Sequence, residues 1–118
     1  MGRTFLALLV VCTLSSSAFG EPRQQVPATR FWNLTPFTLS EFNLAPAGTT
    51  NWGPNQCKND RDGTVSPNER LRITDTAPGT YDARLKDTTG RVCFARNLKV
   101  ETNEIFSIEE RDLFNCQP

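Results

Sequence analysis

With 118 residues and 13 basic side chains against 13 acidic ones, the chain is long enough for one domain with a modest core and too short for two. Its balanced charge leaves no cation excess to neutralise phosphates, which argues against nucleic acid or an anionic membrane as partner. It has no histidine, which removes the commonest general base, the Ser-His-Asp and Cys-His arrangements and most zinc geometries, so a non-enzymatic protein is expected.

Taken in order, the chain opens on what reads as a secretory signal peptide over residues 1–20. Arg3 supplies the positive start, Phe5 to Leu14 an apolar run, and Ala18-Phe19-Gly20 a small-residue cleavage site. That run is too short to cross a bilayer, and no later segment is longer, so a secreted or periplasmic product without membrane insertion is expected. Removal of 20 from 118 residues leaves 98, with 12 basic and 13 acidic side chains. Residues 21–28, with two prolines and little to bury, read as an extended lead-in to a domain over residues 29–118.

Thr29 to Leu34 is the first expected strand, with Phe31 and Trp32 adjacent and hence on opposite faces, so that one ring needs cover elsewhere. Asn33-Leu34-Thr35 matches the glycosylation pattern, but its place in a strand beside Pro36 makes it a poor acceptor. Phe37 to Ala45 is a second strand. Phe42 and Leu44 share one face and Leu39 takes the other, a mixed pattern that suggests a bulge. Pro46 to Gly63 is then an eighteen-residue stretch dense in Gly, Pro, Asn and Asp, and loops of that length are usually functional or mobile. Trp52, with Asn55 close by, either stacks on a partner's sugar or side chain or folds back as a lid over one end of the core.

Arg70 to Thr74 resumes alternation with Leu71 and Ile73 inward. Thr80 to Lys86 alternates Tyr81, Ala83 and Leu85 with charged neighbours, and Asp87-Thr88-Thr89-Gly90 supplies turn chemistry, so a β-hairpin follows. A four-residue loop would pair Leu85 with Val92 and Ala83 with Phe94; a three-residue loop with a Gly90 bulge would set Leu85 opposite Cys93. The first register is preferred because it unites the apolar faces. It turns Cys93 away from the core, and Leu98 and Val100 continue the face of Val92 and Phe94. Ile105 to Ile108 gives a last strand, and Ser107 with Glu110 has the spacing of a capping box for one helical turn. The fold class expected is all-β: a small antiparallel sandwich of six to seven strands with a short C-terminal helical turn.

Without Cys12, three cysteines remain in an oxidising compartment, and three pairings are open to them. Cys93 with Cys116 is favoured, because it would fasten a chain end that otherwise frays. Cys57 is then left over.

Lys58 to Glu69 overlays on the twelve-residue calcium loop, with Asp60, Asp62 and Glu69 at the third, fifth and twelfth positions and Gly63 at the sixth. Lys58 stands where the first acid should be, and no amphipathic helix precedes the loop, so any calcium binding is expected to be weak. No other cofactor is indicated.

Leu44 to Asn55, Pro78 to Asp87 and Gly90 to Cys93 resemble small bacterial exported domains in which a W-G-x-N loop is followed by a Y-D-x-R-L-x-D strand and turn. More loosely, P-G-x-Y followed by two strands is similar to prealbumin-like and carboxypeptidase-regulatory-like β-sandwiches. The resemblance implies the fold and brings no activity. The reading as a whole is an exported binding domain that meets a protein or glycan through the Pro46 to Gly63 loop. The alternative is a structural envelope module weakly stabilised by calcium.

Overall fold

A computed structural model of the protein describes Gly2 and residues 28–118. The expected signal peptide and the lead-in up to residue 27 lie outside the described residues. Seven strands form: β1 (Arg30–Leu34), β2 (Leu39–Pro46), β3 (Arg70–Arg72), β4 (Gly79–Asp87), β5 (Val92–Val100), β6 (Ile105–Glu109) and β7 (Phe114–Gln117). Two short 3-10 turns, Gln56–Asn59 and Glu110–Asp112, complete the elements. The strands make a three-stranded sheet in the order β3-β1-β6 and a four-stranded sheet in the order β2-β4-β5-β7. The all-β sandwich holds, with one departure from the antiparallel expectation: β1 and β6 run parallel. No helix among the described residues is long and apolar enough to cross a membrane.

The sheets face each other through alternating side chains. In β1, Phe31 and Asn33 point inward and are fully buried, while Trp32 points out. Leu71 and Phe106 flank Phe31 in register on β3 and β6. From the other sheet Phe42 stacks on Phe31, ring centroids 4.1 Å apart and nearly parallel at 8°. Ile73, Val65, Leu85, Val100 and Ile108 close the core around them. Each fully buried ring or branched chain contributes about 1.5–3 kcal/mol.

Asn33 is the polar centre of this interior. Its amide donates to the carbonyls of Phe37 (2.8 Å) and Val65 (3.1 Å), and its Oδ1 accepts from the Thr35 N–H and hydroxyl. All four of its hydrogen-bond positions are thus used inside the fold, and a glycan has no access to the side chain. Trp32, on the opposite face, takes its cover from the Arg70 guanidinium 4.6 Å from the ring centroid, and its Nε1 donates to Asn68. The expected bulge in β2 lies between Leu39 and Glu41 and brings Leu39, Phe42 and Leu44 all into the core.

The β4–β5 hairpin forms in the register that was not preferred. Leu85 faces Cys93, and Ala83 faces Ala95. Asp87 closes the turn: its N–H donates to the Arg91 carbonyl (2.9 Å), its carbonyl accepts from Gly90 (3.0 Å), and Gly90 takes φ +95°. Further along, two residues of β5, Arg96 and Asn97, oppose the single Asp82 of β4, and Asn97 adopts a left-handed φ of 56°. This bulge reverses the parity of β5. Cys93 and Ala95 point inward before it, and Leu98 and Val100 point inward after it. Phe94 is therefore on the outer face, and Cys93 shares the buried face of Leu85.

The disulfide between Cys93 and Cys116 is formed, joining the buried Cys93 of β5 to the exposed Cys116 of the chain-end strand β7. Cys57 is free and buried rather than lying in an open polar loop. The C-terminal helical turn also forms, but Ser107 remains in β6. The reciprocal capping box is made by Glu109 and Asp112, with the Glu109 N–H donating to Asp112 Oδ2 at 2.8 Å.

Candidate functional site

The Pro46 to Gly63 segment is stitched down along its length. Its first turn closes by Thr49 N–H and hydroxyl bonds to the Pro46 carbonyl (3.0 and 2.7 Å), with Gly48 at φ +77°. Gly53 then lies directly against β2: its N–H donates to the Leu44 carbonyl at 2.8 Å, and a Cβ would sit 3.2 Å from that oxygen. The Asn43 amide holds the Gly53 carbonyl from below at 3.0 Å. Asn55 is spent inward, accepting from the N–H groups of Phe42 and Cys57 and donating to the Ser40 carbonyl. The buried Gln56 bridges to Thr74 by two backbone bonds and accepts from Asn59. This segment is a fixed platform, and Asn55 is one of its fasteners.

Trp52 is what the platform presents. Half-buried and outside the core cluster, it lies on the outer face of the four-stranded sheet with its ring 6.0 Å from Phe94. Phe94 in turn meets Phe114, its register partner on β7, at 6.2 Å. Arg96 caps the row, its guanidinium 4.3 Å above the Phe114 ring. Asp82 aligns both ends of this arrangement by accepting from Gly48 N–H in the loop (2.9 Å) and from Asn97 N–H in the bulge (3.2 Å). Together these residues line an open groove of about 220 Å³. Trp52 thus does not close one end of the core. It extends an aromatic row on an outer face.

Comparison with protein-family models, with curated proteins and with solved structures finds no match.

Phe94, Phe114, Arg96 and Asp82 were not anticipated as site residues. The outward turn of the two rings has no local signal in the sequence: Phe94 faces out because Leu85 pairs with Cys93, and Phe114 is its register partner on β7, where Asn115, at φ 50°, interrupts the alternation.

The three carboxylates of the expected calcium loop are each engaged locally. Asp60 accepts from Arg61 N–H (2.6 Å), Asp62 from the N–H and hydroxyl of Thr64 (2.9 and 3.0 Å), and Glu69 from Ser66 N–H (2.8 Å). The Thr64 bonds hold the Asp62 carboxyl below its ordinary pKa. Glu69 is raised, chiefly because its carboxyl shares a hydrogen bond with that of Asp60 and secondly by burial. Among the described residues, no three acidic, cysteine or histidine side chains converge as a cation would require. Asp60 and Glu69 meet, whereas Asp62 serves its own turn.

Proposed function

We propose that the chain is an exported binding domain that holds its partner on the outer face of the four-stranded sheet, through Trp52, Phe94 and Phe114. The observation that carries this reading is the aromatic row itself, half-exposed on a face the fold does not need to cover. Aromatic rings bury large areas at small entropic cost, and Arg96 and Asp82 supply charged groups of both signs beside them, a mixture suited to recognition. The cross-strand disulfide supports an oxidising destination. A non-catalytic role is supported by the lack of histidine and by the use of Asp60, Asp62 and Glu69 in turns. The calcium-stabilised module draws no comparable support.

The test is photocrosslinking from position 50, beside the row, in a native cell-envelope fraction. The expected result is one discrete adduct that disappears in Trp52→Ala and in Phe94→Ala, while both variants unfold cooperatively. An adduct that persists in both variants would overturn the proposal.

A further inference from the structure

The two open sheets end in the edge strands β2, β3, β6 and β7, and an edge offers a row of backbone groups that another strand could take. Three of these edges are blunted. Along β2, the Asn55 amide takes the Phe42 N–H and the Ser40 carbonyl, Gly53 N–H takes the Leu44 carbonyl, and Leu39 bridges to Val65. β3 is three residues long, and the side-chain amides of Asn59 and Gln56 hold the backbone of Arg72 and Thr74. β7 is broken by the left-handed φ of Asn115.

β6 has none of these protections. It pairs with β1 without a register break and contains no proline or lysine; its one charge, Glu109, stands at its end and is paired with Arg111. The Arg30 N–H donates to the Glu104 carbonyl, so in this parallel ladder Phe106 and Ile108 turn their backbone groups to β1. Ile105, Ser107 and Glu109 turn theirs to the open edge. Of these, the Glu109 N–H is taken by Asp112 Oδ2 at 2.8 Å. No hydrogen bond among the described residues takes the N–H or carbonyl of Ile105 or Ser107. Ile105 is also the one large hydrophobic side chain exposed among the described residues, at 48 %.

We infer that two copies of this chain pair through β6, antiparallel about a two-fold axis at Phe106. The occupant is a second copy because the edge complements itself. In an antiparallel ladder, hydrogen-bonded opposites exchange both of their backbone bonds and recur at every second position. Setting Ile105 against Ser107 of the second copy sets Ser107 against Ile105 in the same step, which uses every free group of both. A further such pair would need Glu109, whose N–H is spent on Asp112, and Asn103, whose left-handed φ of 62° ends the extended backbone. The ladder is thus as long as the free edge. Phe106 meets its own counterpart on the buried face, Ile105 gains a neighbouring strand as cover, and no like charges are opposed. An unrelated extended segment would find the same groups without this match at both ends. The three-stranded sheet becomes continuous across the two copies, and the aromatic row on the other sheet stays open.

The test is sedimentation velocity on the disulfide-intact chain up to millimolar concentration, paired with amide hydrogen exchange. The expected result is a reversible monomer–dimer equilibrium in which the Ile105 and Ser107 amides exchange at least tenfold more slowly in the dimer than in the dilute monomer. Ile105→Lys places a charge on the edge, and Ser107→Pro removes an outward N–H that serves no bond within the fold. Each should weaken the dimer at least tenfold while unfolding stays cooperative; if Ser107→Pro does not fold, Ile105→Lys decides. A chain that stays monomeric, including one whose Ile105 and Ser107 amides are slow at every dilution because its own residues cover them, would overturn the inference. So would a dimer indifferent to Ile105→Lys, or one that leaves both amides exchanging as in the monomer.

Discussion

At the scale of single residues, the buried polar groups explain how so short a chain holds long connections in place. Asp87 is 5 % exposed, yet it organises the hairpin turn. Its Oδ1 accepts from the Thr89 hydroxyl and N–H and from Arg91 N–H, and its Oδ2 pairs with Arg91 Nε at 3.3 Å. Burial pushes this carboxyl up, but the Thr89 and Arg91 hydrogen bonds and the Arg91 charge outweigh burial and hold it below the ordinary value. A depressed folded-state pKa stabilises the fold above the unfolded-state value, near 3.9, and that contribution is lost as pH falls through the folded-state value. Urea denaturation of Asp87→Asn is therefore expected to show a loss of about 1–3 kcal/mol at neutral pH. The difference from wild type should shrink in acid, and a difference that stays constant with pH would contradict this role. Cys57 follows the opposite logic: burial first, then the nearby Asp60 and Glu41 charges, push its thiol up to about 12. It is a neutral packing group at physiological pH.

At the scale of elements, β7 depends on its disulfide more than on its ladder. Only two register pairs tie it to β5, Val92 with Gln117 and Phe94 with Phe114, and an irregularity separates them. Closing the 23-residue separation between Cys93 and Cys116 is worth about 3 kcal/mol in the chain-entropy model. In Cys116→Ser, hydrogen exchange should show β7 amides losing protection while β2 and β4 keep theirs; protection retained in β7 would contradict this dependence. Six of the seven strands stood near their expected places, because period-2 alternation and turn residues are local signals, whereas β7 was missed: Ile105 to Ile108 was expected to be the last strand. Local signals did not reveal the parity reversal at Arg96–Asn97, where one left-handed asparagine moves Phe94 outward and Leu98 inward. Nor could they reveal the parallel β1–β6 pairing, which joins residues more than seventy positions apart. Asn55 illustrates a further limit: an asparagine in a polar loop reads alike whether its amide faces a ligand or, as here, three backbone groups.

At the scale of the whole molecule, two groups of three aromatic rings take different places in the sandwich. Phe31, Phe42 and Phe106 lie between the sheets and hold them together. Trp52, Phe94 and Phe114 lie outside the four-stranded sheet, and the loop that carries Trp52 is fastened by Gly53, Asn43 and Asn55 rather than by the ring it presents. The sequence located Trp52 as a recognition candidate through the length of its loop, but its two companions became visible only once the hairpin register and the β5–β7 pairing had set which way each ring faces. The most direct measurement is chemical denaturation of Trp52→Ala beside Phe31→Ala. Phe31→Ala should cost about 3–5 kcal/mol, as for a ring removed from a closed core. Trp52→Ala should cost no more than about 1.5 kcal/mol, the worth of an aromatic contact at a surface. A loss in Trp52→Ala equal to that in Phe31→Ala would make Trp52 part of the support of the fold and contradict its assignment as the binding surface.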